Sequence, residues 1–154
     1  MTINWRWYRF DEFDTAGLYA YLKLRVDVFV VEQTCPYPEL DGHDQAAQHL
    51  LGRDEAGAIV ACLRLLPPGA KYAEPSISRV IVTPSARGTG AGHALIAEAL
   101  ARSTALYPGA GNRIGAQERL QRFYAMHGFE PVGEPYLEDD ILHIDMLHAP
   151  VGTD

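Results

Sequence analysis

Ser76 to Leu100 reads SISRVIVTPSARGTGAGHALIAEAL, and this stretch decides the fold. Ile77, Val80, Ile81 and Val82 are the β-branched residues of a buried strand. Pro84 ends it, because proline brings no N–H to a ladder. Arg87-Gly88-Thr89-Gly90-Ala91-Gly92 follows, and then an apolar helix from His93 to Leu106. Alternating glycines leave backbone N–H groups uncovered. The helix adds its own unpaired N–H groups and the positive end of its dipole. Such a turn can hold a phosphate or pyrophosphate without a lysine. Glycine before a helix is also a common turn without a ligand, so spacing by itself leaves both readings open. Two phosphate motifs are excluded: there is no Gly-Lys-Ser/Thr, and no acidic residue follows on a second parallel strand at dinucleotide spacing.

Working outward, 154 residues suit a single domain, 1–154, with a real core. A formal net charge of −7 argues against a nucleic-acid partner, since phosphate backbones need clustered Lys and Arg. Cys35 and Cys62 are too few for a disulfide scaffold, and no Cys/His group has zinc spacing. No signal peptide or membrane-length apolar run is present, so a cytoplasmic, soluble protein is expected.

Trp5 to Phe10 alternates aromatic and basic residues, as a first strand with one wet face would. Asp14 or Thr15 can cap a helix whose apolar stripe is Leu18, Leu22, Val26, Phe29 and Val30, and which fades in VFVVEQ. Residues 34 to 48 form a long loop, of the kind that is often functional. Within it Asp41, His43 and Asp44 match no metal loop and read as solvated turn residues. Gln48–Arg53 and Ala58–Leu66 form a hairpin, with Arg64 reaching an edge or a site. Past the central helix come a short strand at 112–116, a helix at 118–127 capped by Gly128, and strands at 129–136 and 141–147. The tail, 149–154, is expected to fray. The resulting order, β-α-β-β-β-α-β-α-β-β, gives an α/β fold of mixed α+β type.

With this order, the central stretch and Tyr124-Ala-Met-His-Gly-Phe129, the chain resembles the GNAT superfamily of acyl-CoA N-acyltransferases. Arg87, Gly88, Gly90 and Gly92 stand where that family has its Arg/Gln-x-x-Gly-x-Gly/Ala phosphate turn. Tyr124 with Gly128-Phe129 matches its Tyr-x-x-x-Gly-Phe element. Leu24 to Gln33, Cys35-Pro-Tyr37, Leu40-Asp-Gly42, Ser78-Arg-Val80 and Glu138 to His143 are similar to the ElaA-type subfamily. Departures are Gln117, where many relatives have asparagine, and Leu142, where proline is expected.

The resemblance implies a central mixed, mostly antiparallel sheet with two splayed strands, flanked by helices. It implies acetyl-CoA as cosubstrate. Its pyrophosphate would meet the backbone of Arg87, Gly88, Thr89, Gly90, Ala91 and Gly92. Its pantetheine arm would pair with the backbone of Val80, Ile81 and Val82, and Gln117 and Tyr124 would complete the cofactor side. Acetyl transfer needs a neutral amine, a polarised thioester and a protonated leaving thiolate. Tyr124 is the implied general acid, although without the family it reads as a core aromatic. Glu32, His49 and His143 are the candidates for the base, and both histidines also read as satisfied structural residues. Arg25, Phe29, Arg79 and Glu138 are candidates for the acceptor side; for Arg79, pairing with a carboxylate is the alternative. His93 reads as an exposed helix residue. The acceptor is an amine of a small molecule or a protein, and a homodimer is left open. Other readings are a non-catalytic acyl-CoA sensor and a relative of acyl-homoserine-lactone synthases, whose distinct N-terminal residues are not found in full.

Overall fold

The computed structural model describes residues 1–150, so 151–154 of the tail expected to fray lie outside the described residues. Two compact units arise from the chain: residues 1–64 with 79–95, and residues 65–78 with those from 96 onward. In the first unit, strand β1 (Asn4–Arg9) pairs antiparallel with β2 (Gln48–Arg53), setting Tyr8 opposite His49. The hairpin from β2 to β3 (Ile59–Leu66) turns on Asp54, whose carboxylate accepts from the N–H groups of Ala56 and Ala58. With β4 (Ser76–Val82) the sheet order is β1-β2-β3-β4.

Helix α1 (Thr15–Val26) starts on Asp14, whose side chain accepts from Gly17 N–H at 2.6 Å. Its Leu18, Leu22 and Leu24, with Phe29 beyond its end, pack around buried Tyr8, Tyr21, Leu51, Cys62 and Ile81. The chain does not fade at VFVVEQ as expected. Asp27–Glu32 continues as a π-helical segment, and Cys35 N–H bonds back to the Val30 carbonyl five residues earlier, at 3.0 Å. Single π turns of this kind recur at functional sites.

Helix α2 (Ala91–Leu106) begins two residues before the expected His93. In the second unit, β8 (Ile141–His148) is the central strand. β5 (Asn112–Gln117) pairs along it, while β6 (Phe129–Pro131) and β7 (Tyr136–Glu138) each pair with part of it, all antiparallel. The single strand expected over 129–136 is therefore two. Gly133, with φ +81°, and Pro135, which has no N–H, interrupt it. Asp139 and Asp140 both have positive φ, as a two-residue hairpin turn requires. Helix α3 (Gln121–Ala125) is shorter than expected because a 3₁₀ turn occupies Glu118–Leu120. β4 and β5 belong to different sheets. The antiparallel strands and flanking helices make up the mixed α/β architecture that the element order implied. No helix among the described residues is long and apolar enough to cross a membrane.

Candidate functional site

The chain leaves β4 through Thr83 and a 3₁₀ turn at Pro84–Ala86. Thr89 donates its hydroxyl to the Ala86 carbonyl, and Arg87 Nε donates to the Val82 carbonyl at 3.2 Å. Gly88 and Gly90 have φ of +79° and +84°, and a Cβ at either position would meet nothing within 4 Å. Glycine is needed there for backbone conformation, since L side chains rarely adopt such φ. Gly90 accepts the first helical bond, from Ala94 N–H at 3.1 Å. The N–H groups of Ala91, Gly92 and His93 consequently have no acceptor within α2. Gly88, Thr89 and Gly90 form an exposed stretch of backbone leading into the helix start, suited to a pyrophosphate, with the exposed Arg87 beside it. His93 is exposed, as expected. Ile81 is buried in the core cluster, and Val82 packs against Val60, Ala86 and Ala91.

Elsewhere in the first unit, three arginines meet three carboxylates. Arg25 lies 2.8 Å from Glu39 and 2.7 Å from Asp44. Arg64 reaches Asp41 at 2.8 Å and Asp44 at 3.2 Å. Arg79 Nε is 2.8 and 2.9 Å from the two Glu39 oxygens, and its Nη2 is 3.3 Å from Asp41. Tyr37 donates to Glu39 at 2.7 Å. Burial would raise the carboxyls of Asp41 and Asp44, but hydrogen bonds from Arg64 and Arg25 respectively outweigh it and hold both below their ordinary value.

This network corrects several expectations. Asp41 and Asp44 are not solvated turn residues: they pin the 34–48 loop, and Asp44 is buried. Arg25 is fully buried among its partners, so it cannot touch an acceptor. Phe29, partly buried, packs on the core cluster. Arg79 takes the carboxylate-pairing alternative, and does so at φ +55° inside a strand. Glu39 was missed altogether. The available signal was Arg64 within an otherwise apolar strand, since a buried guanidinium needs a buried carboxylate.

His49 is also corrected as a base. Its Nε2 donates to the Asp44 carbonyl at 2.9 Å, which leaves Nδ1 to accept from the Tyr21 hydroxyl at 2.8 Å. Both nitrogens are occupied in a fully buried ring, and burial pushes its pKa down to about 4. Glu32 is exposed at the end of the π segment, outside the network.

In the second unit Gln117, His143 and Tyr136 lie in register across β5, β8 and β7. Two residues along this face, Gly115 faces Asp145. A Cβ on Gly115 would lie 3.0 Å from the Tyr136 hydroxyl and 3.2 Å from that of Tyr72. Both hydroxyls use the space to donate to Asp145, which also receives Arg113 at 3.0 Å. The opposite face is apolar and buried: Ile114, Ala116, Ile144 and Met146. Glu138 is exposed, and its carboxylate lies 3.8 Å from His143 Nε2. Gln117 accepts from Arg119 Nε at 3.1 Å. Tyr124 is buried on α3, edge-on to Phe129 at 5.8 Å, and burial raises its pKa to about 12.

A family model described as an acetyltransferase (GNAT) domain matches residues 20–149. The chain belongs to the GNAT acetyltransferase family. It is 41% identical over 153 residues to protein ElaA of Escherichia coli, covering 97% of this chain and 98% of that one. A UPF0039 protein of Synechocystis is 42% identical over 147 residues, covering 96% of each. A crystal structure of an acyl-CoA N-acyltransferase from Pseudomonas aeruginosa superposes with a TM-score of 0.89 at 41% identity, over 96% of this chain and all of that one. The GNAT assignment supports an acyltransferase with an acyl-CoA cosubstrate.

Proposed function

We propose that this GNAT chain is an acetyl-CoA-dependent N-acetyltransferase acting on a primary amine of a small molecule or a protein. The observation that carries the reading is the Arg87–Gly92 turn, with Gly88 and Gly90 at positive φ, leading straight into the head of α2. Its backbone binds the pyrophosphate. The end strand β4 offers backbone to the pantetheine arm, which explains why Val80, Ile81 and Val82 need no polar side chains. Bound acetyl-CoA supplies the activated thioester acetyl group. The chain then has to polarise that carbonyl, take a proton from the amine and return one to sulfur. Tyr124 is assigned the last step on the Tyr-x-x-x-Gly-Phe match. A pKa of about 12 keeps its proton in place at neutral pH.

Thermal unfolding with acetyl-CoA tests binding, since ligand at 100 times Kd stabilises by about 2.7 kcal/mol. Gly90→Val, which forces a β-branched residue to φ +84°, is expected to abolish the stabilisation; an unchanged shift sinks the pyrophosphate assignment. Thiol release with a panel of amines separates a transferase from an acyl-CoA sensor. Tyr124→Phe is expected to lower kcat on the order of 10²-fold with acetyl-CoA binding retained.

A further inference from the structure

His143 differs from His49 in one decisive respect. Its Nδ1 lies 2.7 Å from the Ile141 carbonyl, two residues back on its own strand. A carbonyl only accepts, so in the neutral ring Nδ1 carries the hydrogen and Nε2 carries the lone pair. The nearest charged partner of Nε2 is Glu138, at 3.8 Å. That is too long for a hydrogen bond, so Nε2 keeps its lone pair available. The ring stacks on Tyr136, centroids 6.0 Å apart and planes 21° from parallel. Gln117 faces it from β5, with Arg119 turned onto that amide and Glu118 exposed. Asp145, two residues along the same face, is already satisfied by Tyr136, Tyr72 and Arg113. His143 thus presents a basic nitrogen whose tautomer is fixed by backbone, beside one exposed carboxylate with capacity to attract a cation.

We propose that His143 is the general base of the reaction and that Glu138 receives the cationic amine beside it. The inference rests on the acetyl-transfer reading above. Glu138 draws the cationic amine towards the imidazole, and Nε2 takes the proton. The freed nitrogen lone pair forms the new N–C bond. The C–S bond breaks with its electron pair leaving on sulfur, which is then protonated. After the transfer the ring keeps its Nδ1–H bond to the Ile141 carbonyl, with the Glu138 carboxylate 3.8 Å from Nε2. Of the three candidates for the base, His143 alone combines partial burial with a nitrogen left available: its side chain is 13% exposed, whereas His49 is sealed and Glu32 lies open to solvent.

Two readouts on the full chain test this. Long-range ¹H–¹⁵N spectra give the tautomer of His143 without any turnover. Hydrogen on Nδ1 with Nε2 bare is expected; the Nε2-protonated tautomer overturns the proposal whatever the fate of the transfer reading. His143→Gln and Glu138→Gln are then assayed with acetyl-CoA and n-butylamine between about pH 6 and about pH 10. His143→Gln is expected to lower kcat by about 10²- to 10³-fold near neutrality and to leave the KM for acetyl-CoA within about twofold. The variant should regain roughly tenfold in rate per pH unit as solvent deprotonates the amine, whose pKa is near 10. Glu138→Gln should raise the KM for the amine more than it lowers kcat. Equal loss at every pH marks a structural role and overturns the proposal, as does an unchanged rate. Wild-type protein that binds acetyl-CoA but releases no thiol overturns the transfer reading, and the base with it.

Discussion

Arg25 Nε and Glu39 Oε2 lie 2.8 Å apart with the arginine side chain fully buried and the glutamate nearly so. Helix α1 is thereby fastened to a loop with no regular sheet or α-helix to hold it. Three guanidinium charges against three carboxylates leave the cluster neutral, which is what allows it to be buried at all. Arg25→Met removes one charge and strands Asp44 and Glu39 beside two arginines. Truncating one partner of a buried pair costs about 3–5 kcal/mol, and urea unfolding should show a loss of that order. A loss under about 1 kcal/mol would mean that the pair is solvated in solution.

His49 makes acid stability a test of the same region. Its folded pKa is depressed from 6.5 to about 4, chiefly by burial. Between those values the unfolded chain binds the proton and the folded chain resists it. Stability therefore falls as pH drops from 6.5 towards 4, by roughly 3 kcal/mol in all. Asp41 and Asp44 are depressed carboxyls, so their contribution is lost only at lower pH, below the ordinary carboxylate value of 3.8. His49→Gln should flatten the slope between pH 6.5 and about 4 and leave the steeper acid limb in place. A wild-type curve without slope in that window would show that the ring is not sealed.

The backbone form of the glycine turn was legible in the sequence. Gly88 and Gly90 sit at φ of +79° and +84° with open space where a Cβ would be, and glycine spacing reports such positions directly. Strand and helix order was legible for the same kind of reason, local periodicity. The loop that holds Glu39, Asp41 and Asp44 was not, because its partners Arg25, Arg64 and Arg79 come from α1, β3 and β4. No local pattern marks an ion pair formed across 14 to 40 residues of sequence. His49 and His143 look alike in sequence, each inside a strand. Only the atoms facing their ring nitrogens separate a sealed structural ring from one with a bare lone pair. The break between β6 and β7 was missed because Gly133 and Pro135 were read through as part of one strand over 129–136.

Arg79 carries the last prediction. It is a non-glycine residue at φ +55° in the middle of β4, where strands ordinarily run near −120° to −140°. A left-handed L residue costs about 1–2 kcal/mol, and such strain persists only where the surroundings over-determine it. Here the side chain is held by Glu39 and Asp41 and lies over the Tyr37 ring at 5.6 Å. Two substitutions separate backbone from side chain. Arg79→Ala removes the ion pairs and keeps the strain, whereas Arg79→Gly removes both. If the strain is real, the glycine variant should be the more stable of the two by about 1 kcal/mol, against a usual penalty of similar size for glycine in a strand. Urea unfolding of both variants reads the difference directly. An alanine variant as stable as the glycine one would show that β4 relaxes to a regular strand once the ion pairs are gone. The left-handed turn would then be a consequence of the Arg79–Glu39 pair and not of the backbone around it.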